Sequence, residues 1–374
     1  MRLVLVGGGH THVEVLRAFG RSLQARVSIT LISRQTDTPY SGMLPGVIAG
    51  HYTRRESHIA LAPLAAVARA TFVVDEADGL DLSGRLVHRR RGPSVPWDVL
   101  SLDIGSTPHT GLARVAPEAV AVKPIDGLLS RWDSLRETLR AEEWEPTVAV
   151  IGAGAAGIEL VLSMEFHLQS VLKADRRRRL RFALFSAAPS ILPEHSPDVQ
   201  QRFMRVLAAR GVAVHLEERV VAVREGHVVT ERRRYAADHA VWATQATAAP
   251  WIRESGLAVD AEGFMRVSET LESVSHSDVF GAGDVATIEG HERPKSGVYA
   301  VRAGPPLARN LRARLAGRPL ERYRPQPRAL SLITTGDRYA IASRGRWSTE
   351  GRWVWWWKDL IDRRFMRRYQ AGRR

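Results

Sequence analysis

Residues 1–20 read MRLVLVGGGHTHVEVLRAFG, and the six residues Gly7 to His12, GGGHTH, decide how the rest of the chain is read. Leu3 to Val6 is a short apolar run with β-branched residues that stops at Gly7, Gly8 and Gly9, which is a strand entering a turn. From Val13 the apolar residues Val13, Leu16 and Phe19 recur at helical spacing, and Gly20 suits a helix end. The run Val27 to Ile32 then supplies a second strand and completes a βαβ unit of mononucleotide-binding size. In the fingerprint G-x-G-x-x-G, Gly7 and Gly9 fill the first two positions, where the turn is tight and backbone amides approach a pyrophosphate, while His12 stands at the third. The alternative, a His-x-His metal pair of His10 and His12, lacks nearby ligands other than Glu14, since zinc takes three or four. The phosphate reading is therefore taken, with Gly7, Gly8, Gly9 and His10 at a cofactor diphosphate and no metal. The second strand ends on Ser33 and Arg34 where the fingerprint has an acid for the ribose; a serine accepts a hydrogen bond there, and an arginine stacks on adenine or meets phosphate.

The same grammar returns in TVAVIGAGAAGIELVLSM, with a strand at Val148 to Ile151, the complete fingerprint at Gly152, Gly154 and Gly157, and a helix from Ile158. The closing strand is Arg181 to Phe185, ending on Ser186 without an acid, so the ribose rule favours neither NADH nor NADPH. Glu159 lies two positions past the last glycine. It reads either as a solvated first-turn carboxylate favoured by the helix dipole or as a polar group beside a nicotinamide. Two further stretches belong to the pattern: WDVLSLDIGSTP (97–108), a strand ending in Gly105 and Ser106, and SDVFGAGDVA (277–286), an apolar pair entering a turn that carries Gly283 and Asp284. Asp284 alone could be a turn cap.

At 374 residues the chain holds two or three globular units, and its 44% hydrophobic and 25% charged residues are those of a soluble globular protein without an apolar run of spanning length. The start lacks a secretory pattern, so the expectation is a cytoplasmic protein. Cysteine is absent, which excludes disulfides, thiolate metal sites and electron transfer through a protein thiol. The net charge of +14 is carried by arginine, with lysine only at Lys123, Lys173, Lys295 and Lys358; the basic runs at 88–91, 176–179 and 232–234 read as solvated loops or helix faces, and no nucleic-acid partner is expected.

With both glycine loops, LDIGSTP and VFGAGDVA in that order, the chain resembles the two-dinucleotide-binding flavoproteins, which include pyridine nucleotide-disulfide reductases and type II NADH dehydrogenases, over residues 1–320. It is similar in particular to a subgroup fused to or encoded beside selenide water dikinase, through LVGGGHTHVEVLR, LISRQTDTPYSGMLPGVIAGHY and DVLSLDIGSTP. The resemblance implies an α/β fold of two Rossmann-like domains: an FAD domain in two parts (1–144 and 251–320), an inserted NAD(P) domain (145–250) and a C-terminal segment (321–374). It implies FAD with its diphosphate on Gly7 to His10 and its ribityl chain on Asp284, and Pro39 to Gly46 along the flavin with Met43, Leu44 and Pro45 as an apolar wall. It also implies NAD(P)H on Gly152, Gly154 and Gly157, with Glu159 facing the ring region. Ala243, Thr244 and Gln245 stand where type II dehydrogenases carry Ala-Thr-Gly, and Lys295, Val298, Tyr299 and Arg302 stand where they carry a glutamine-containing helix.

The implied activity is transfer of electrons from NAD(P)H through FAD to a small non-thiol acceptor, a quinone or another small molecule. The alternatives are a flavoprotein of selenium metabolism with a non-nicotinamide reductant, or one with a mainly binding role. In the C-terminal segment Trp353, Trp357, Ile361, Phe365 and Tyr369 recur every four residues beside Arg363, Arg364, Arg367 and Arg368. Such a helix either lies at the inner membrane face or closes the flavin domain or a homodimer interface.

Overall fold

The structure is a computed structural model and describes residues 1–22, 26–108, 120–122, 127–141, 146–172, 180–244 and 246–370. Gln245, Lys123, Lys173 and the basic run 176–179, singled out above, lie outside the described residues. In chain order the elements that position the site are β1 (Arg2–Val6), α1 (His10–Arg21), β2 (Ser28–Ser33), α2 (Leu44–Ile48), β3 (Ala70–Val74), β4 (Val99–Leu102), β5 (Val120–Ala121), α3 (Leu128–Ala141), β6 (Thr147–Ile151), α4 (Ala155–Val171), β7 (Arg181–Phe185), β8 (Val212–His215), β9 (His239–Trp242), β10 (Val279–Gly281), α5 (Gly297–Leu315), β11 (Ser331–Thr334), β12 (Ala340–Arg344), β13 (Trp347–Gly351) and α6 (Arg352–Tyr369).

Two five-stranded sheets carry the fold. The first has order β10-β4-β1-β2-β3, the second β5-β9-β6-β7-β8, and every pair in both is parallel. Leu3, Leu5, Leu31, Val99 and Leu100 are fully buried, as parallel strands covered on both faces require. The fold class is thus the mixed α/β, doubly Rossmann-like one expected. Strand β10 enters the first sheet after a detour through the second, beside β4, so the first domain is discontinuous in sequence.

The second sheet and its core also draw on chain ahead of residue 145. Strand β5 pairs with β9 of the second sheet, and Leu128, Leu129, Trp132, Leu135 and Leu139 of α3 lie in that sheet's core. A weakly apolar helix carries no sign of which sheet it will cover, and that choice is made by packing. Both glycine-loop helices also begin earlier than their apolar spacing suggests, α1 at His10 and α4 at Ala155, because the first helical turn is built from loop residues whose amides point outward.

The C-terminal segment joins the two halves. Strands β11, β12 and β13 form an antiparallel sheet in which Ile333 and Ile341 enter the second core, while Ala340 and Ala342 enter the first. Helix α6 follows, burying Val354, Trp355, Lys358, Asp359, Asp362, Met366 and Tyr369. The stripe expected to lie on one face is split. Trp353 and Ile361 are exposed, Trp357 and Phe365 are half-buried, and Tyr369 is buried. The register of the charged residues differs from that of the aromatics, and Lys358, Asp359 and Asp362 turn inward because partners await them there.

Candidate active site

The first glycine loop is held against the end of β4. Gly7 has φ +98, and a Cβ there would stand 2.2 Å from the Asp103 carbonyl oxygen; this is a close backbone approach only glycine tolerates. His12, at the place of the third glycine, is fully buried, with Nδ1 2.7 Å from the Gly7 carbonyl oxygen and Nε2 2.8 Å from Ser101 Oγ. Instead of allowing close packing, the imidazole ties the turn to β4. Burial holds His12 neutral, its pKa pushed down to about 4, and both ring nitrogens are already engaged, so it does not pair with His10. His10 has its own surroundings: its ring meets Tyr40 edge-on at 5.5 Å and Phe365 of α6 at 6.0 Å, and burial lowers its pKa to about 4.

Of the other residues expected for FAD, some face this loop and others lie on neighbouring turns and α2. The Ser33 hydroxyl lies 3.1 Å from a Cβ built on Gly8, so it faces the loop, and Arg34 beside it is exposed. Gly105 precedes Ser106, whose hydroxyl donates to Asp284 Oδ2 at 3.3 Å, joining the LDIGSTP turn to the turn that carries Gly283 and Asp284. Met43, Leu44 and Pro45 are buried at the start of α2. Glycine-lined backbone, the N-terminus of α1, an acidic turn and an apolar wall fit the diphosphate, ribityl chain and ring of a flavin dinucleotide.

The second loop repeats the device. A Cβ on Gly157 would stand 1.8 Å from the Gly152 carbonyl oxygen, and one on Gly152 2.7 Å from that of Ala243, while Gly154 faces open space at the helix N-terminus. Thr244 accepts a hydrogen bond from Trp242 Nε1 at 2.5 Å.

Glu159 is not a solvated helix-start carboxylate. Its Oε1 accepts from the Thr334 backbone N–H of β11 at 2.9 Å, and loss of solvation raises its pKa to about 7, against the pull of the Lys358 ammonium. Lys358, on α6, donates to the Gly42 carbonyl oxygen, within the segment expected along the flavin, and to Asp362 Oδ2 at 2.6 Å. The Tyr40 hydroxyl reaches the same Asp362, and the Tyr40 ring stacks on Phe365 at 4.3 Å. Glu159, Lys358 and Asp362 thus form one charged cluster between the second loop and residues 40–42.

Sequence reading named Glu159 but neither Lys358 nor Asp362. A signal was present: in a chain that uses arginine almost throughout, Lys358 is one of four lysines, and Lys358 and Asp362 stand at i,i+4 spacing. Of the four residues noted after the Asp284 turn, Lys295 precedes α5 and is engaged with the Ala286 carbonyl oxygen and Thr287 Oγ1, while Arg302, on α5, is engaged with Gln326.

Residues 1–304 match the family model described as pyridine nucleotide-disulphide oxidoreductase. The chain belongs to that family. It is 27% identical over 353 residues to the type II NADH:quinone oxidoreductase Ndh of Mycobacterium tuberculosis, covering 86% of this chain and 74% of that one. Among solved structures it superposes on the sulfide:quinone oxidoreductase of Aquifex aeolicus with a TM-score of 0.82 at 18% identity, covering 99% of this chain and 92% of that one. The NDH2 of Plasmodium falciparum gives 0.80 at 13% identity, covering 100% and 99%. These two show the fold. As a pyridine nucleotide-disulphide oxidoreductase of the NADH dehydrogenase-like kind, the protein is an NAD(P)H-dependent flavoprotein oxidoreductase that uses FAD. The relatives lend the selenium reading no support. Among the described residues no helix is long and apolar enough to cross a membrane.

Proposed function

We propose that the protein oxidises NAD(P)H and delivers the electrons to a quinone, with Glu159 and Lys358 as the polar groups at the reacting end of the site. FAD, when bound, would supply the two-electron redox chemistry between nicotinamide and acceptor. The chain's own residues position the reactants and handle protons. The turn at Gly152 to Gly157 and the N-terminus of α4 hold the dinucleotide. The buried segment Met43 to Pro45 excludes water. Quinone reduction consumes two protons, and a carboxyl poised near neutral pH beside a buried ammonium can hold and give one.

The observation that carries this reading is the contact of Lys358 with Gly42 and its field at Glu159, an acid and a cation next to residues 40–42 in a chain without cysteine. A relay through a disulfide of the chain's own is closed by composition. The exposed side of α6 supports a membrane-borne acceptor: Trp353, Trp356, Leu360 and Ile361 are 40–59% exposed, with Arg364 and Arg367 also exposed and Trp347 nearby in sequence on β13.

Anaerobic addition of NADH, then NADPH, followed by rapid mixing with a soluble short-chain quinone, tests the proposal through the flavin absorption. The expected result is bleaching by one nicotinamide and reoxidation by quinone faster than by oxygen. A flavin that stays oxidised with both nicotinamides, or one that quinone reoxidises no faster than oxygen does, overturns it.

A further inference from the structure

Asp103, in LDIGSTP, ends up under the cofactor cradle. It is 3% exposed, and among the described residues no ion pair holds it. Its Oδ2 accepts the His12 backbone N–H at 2.9 Å, and the Thr11 amide points to the same carboxylate. A Cβ on Gly9 would stand 2.4 Å from its carboxyl group, and one on Gly283 2.6 Å from Oδ1. Those two glycines belong to the two turns that the FAD reading assigns to the diphosphate and the ribityl chain. A carboxyl group therefore occupies the place where the first helix directs its amides, between the turn read for the doubly anionic diphosphate and the turn read for the ribityl chain.

The groups facing it can be named from each element. From α1 come Thr11, His12 and His10, whose imidazoles are held neutral by burial. From the β10 turn comes a second acid, Asp284, whose charge opposes that of Asp103. From α5 comes Ala300, whose carbonyl oxygen accepts from the Thr11 hydroxyl at 3.0 Å. The two helix amides and the Thr11 hydroxyl favour an anion, while burial and the charge of Asp284 outweigh them.

We propose that Asp103 makes FAD binding proton-linked: the cradle takes the diphosphate with Asp103 neutral, and the ionised aspartate opposes it. Burial and Asp284 already raise the Asp103 pKa to about 7 before a diphosphate adds its charges. Binding raises it further, so a proton is taken up with FAD above neutral pH, and affinity falls by at most about tenfold per pH unit as pH rises. The imidazoles of His10 and His12, titrating near 4, stay neutral throughout that range. The inference rests on the FAD reading and is independent of the electron acceptor.

The test is FAD binding by the full-length chain freed of flavin, measured by calorimetry between about pH 6 and 9 in two buffers of different ionisation enthalpy, for the wild type and Asp103→Asn. The amide keeps an acceptor for Thr11 and His12 but carries no charge. The expected result is wild-type affinity falling several-fold to tenfold per pH unit above neutrality, with buffer-dependent heat, and a flat profile for D103N. Wild-type affinity that is independent of pH, or a slope that persists in D103N, overturns the proposal. Should the variant fail to fold, equal heats in both buffers for the wild type at about pH 8 overturn it alone. Absence of FAD binding at every pH would instead remove the FAD reading beneath it.

Discussion

The Tyr369 hydroxyl donates to Glu14 Oε2 at 2.6 Å, so the last helix is fastened to the first one. Glu14 is nearly fully buried and also bonded to Arg17 and Arg368, and these partners hold its pKa below the usual value of 4.5 despite the opposing effect of burial. Tyr369→Phe should cost about 1.5–3 kcal/mol, the range for a hydrogen bond to a charged group. Glu14→Gln should lose more. Because the folded pKa is lowered, the wild type's advantage over E14Q is complete above about pH 4.5 and disappears in acid, which chemical denaturation at several pH values would show.

Lys358 and Asp362 are a buried pair, and removing one member strands the other. Lys358→Met or Asp362→Asn should each destabilise by about 3 kcal/mol, while the double replacement K358M/D362L should recover most of that loss. Urea denaturation of the three variants measures this. Equal losses for singles and double would mean that the pair stabilises outright.

Glu159 titrates near 7, so it is protonated below that pH and can give a proton only there. Flavin reoxidation by quinone should slow as pH rises through about 7 in the wild type, and Glu159→Gln should be roughly 100-fold slower with no such inflection. Reduction by NAD(P)H should change little. Stopped-flow measurement of the two half-reactions separates these effects.

His12 is buried in its neutral form, with a folded pKa near 4 against an ordinary 6.5. In that window the unfolded chain binds the extra proton, so the stability His12 contributes is present above pH 6.5 and lost as pH falls towards 4. His12→Gly restores the fingerprint letter by letter, yet it should cost about 2–4 kcal/mol through the bonds to Gly7 and Ser101 and the volume removed. Thermal unfolding at neutral and acid pH would show both the cost and a shallower acid dependence.

The exposed aromatic side of α6 predicts binding to vesicles containing anionic lipid. Trp353→Ser with Trp356→Ser and Leu360→Ser should reduce cosedimentation at least tenfold, by loss of buried apolar area. Electron transfer to a soluble quinone should persist.

The strand and glycine-turn units were legible because they depend on local chemistry: a run of Val and Leu buried on both faces, then glycines where backbone must approach backbone, as Gly7 does to Asp103 and Gly157 to Gly152. The side of each sheet that a helix covers was not, and α3 shows why: Leu128, Trp132 and Leu135 would serve either core. Glu159 was legible through its place in the loop. Lys358, Asp362 and Thr334 were hidden because they reach it from some two hundred residues away, through a segment whose aromatics drew attention to the opposite face of the helix. Asp103 was hidden in plain sight, since a carboxylate after an apolar run reads as a turn residue.

The dependence of Glu159 on β11 and α6 has a consequence for biosynthesis. Both glycine turns and Asp284 have emerged from the ribosome well before Thr334 and Lys358, so a nascent chain can hold a dinucleotide cradle before it holds the groups that finish the reacting end. Only the arrival of α6 brings the Lys358 contact to Gly42. A chain broken off before Lys358 would therefore carry both glycine turns and Asp284 but lack the ammonium that meets Gly42 and sets its field at Glu159.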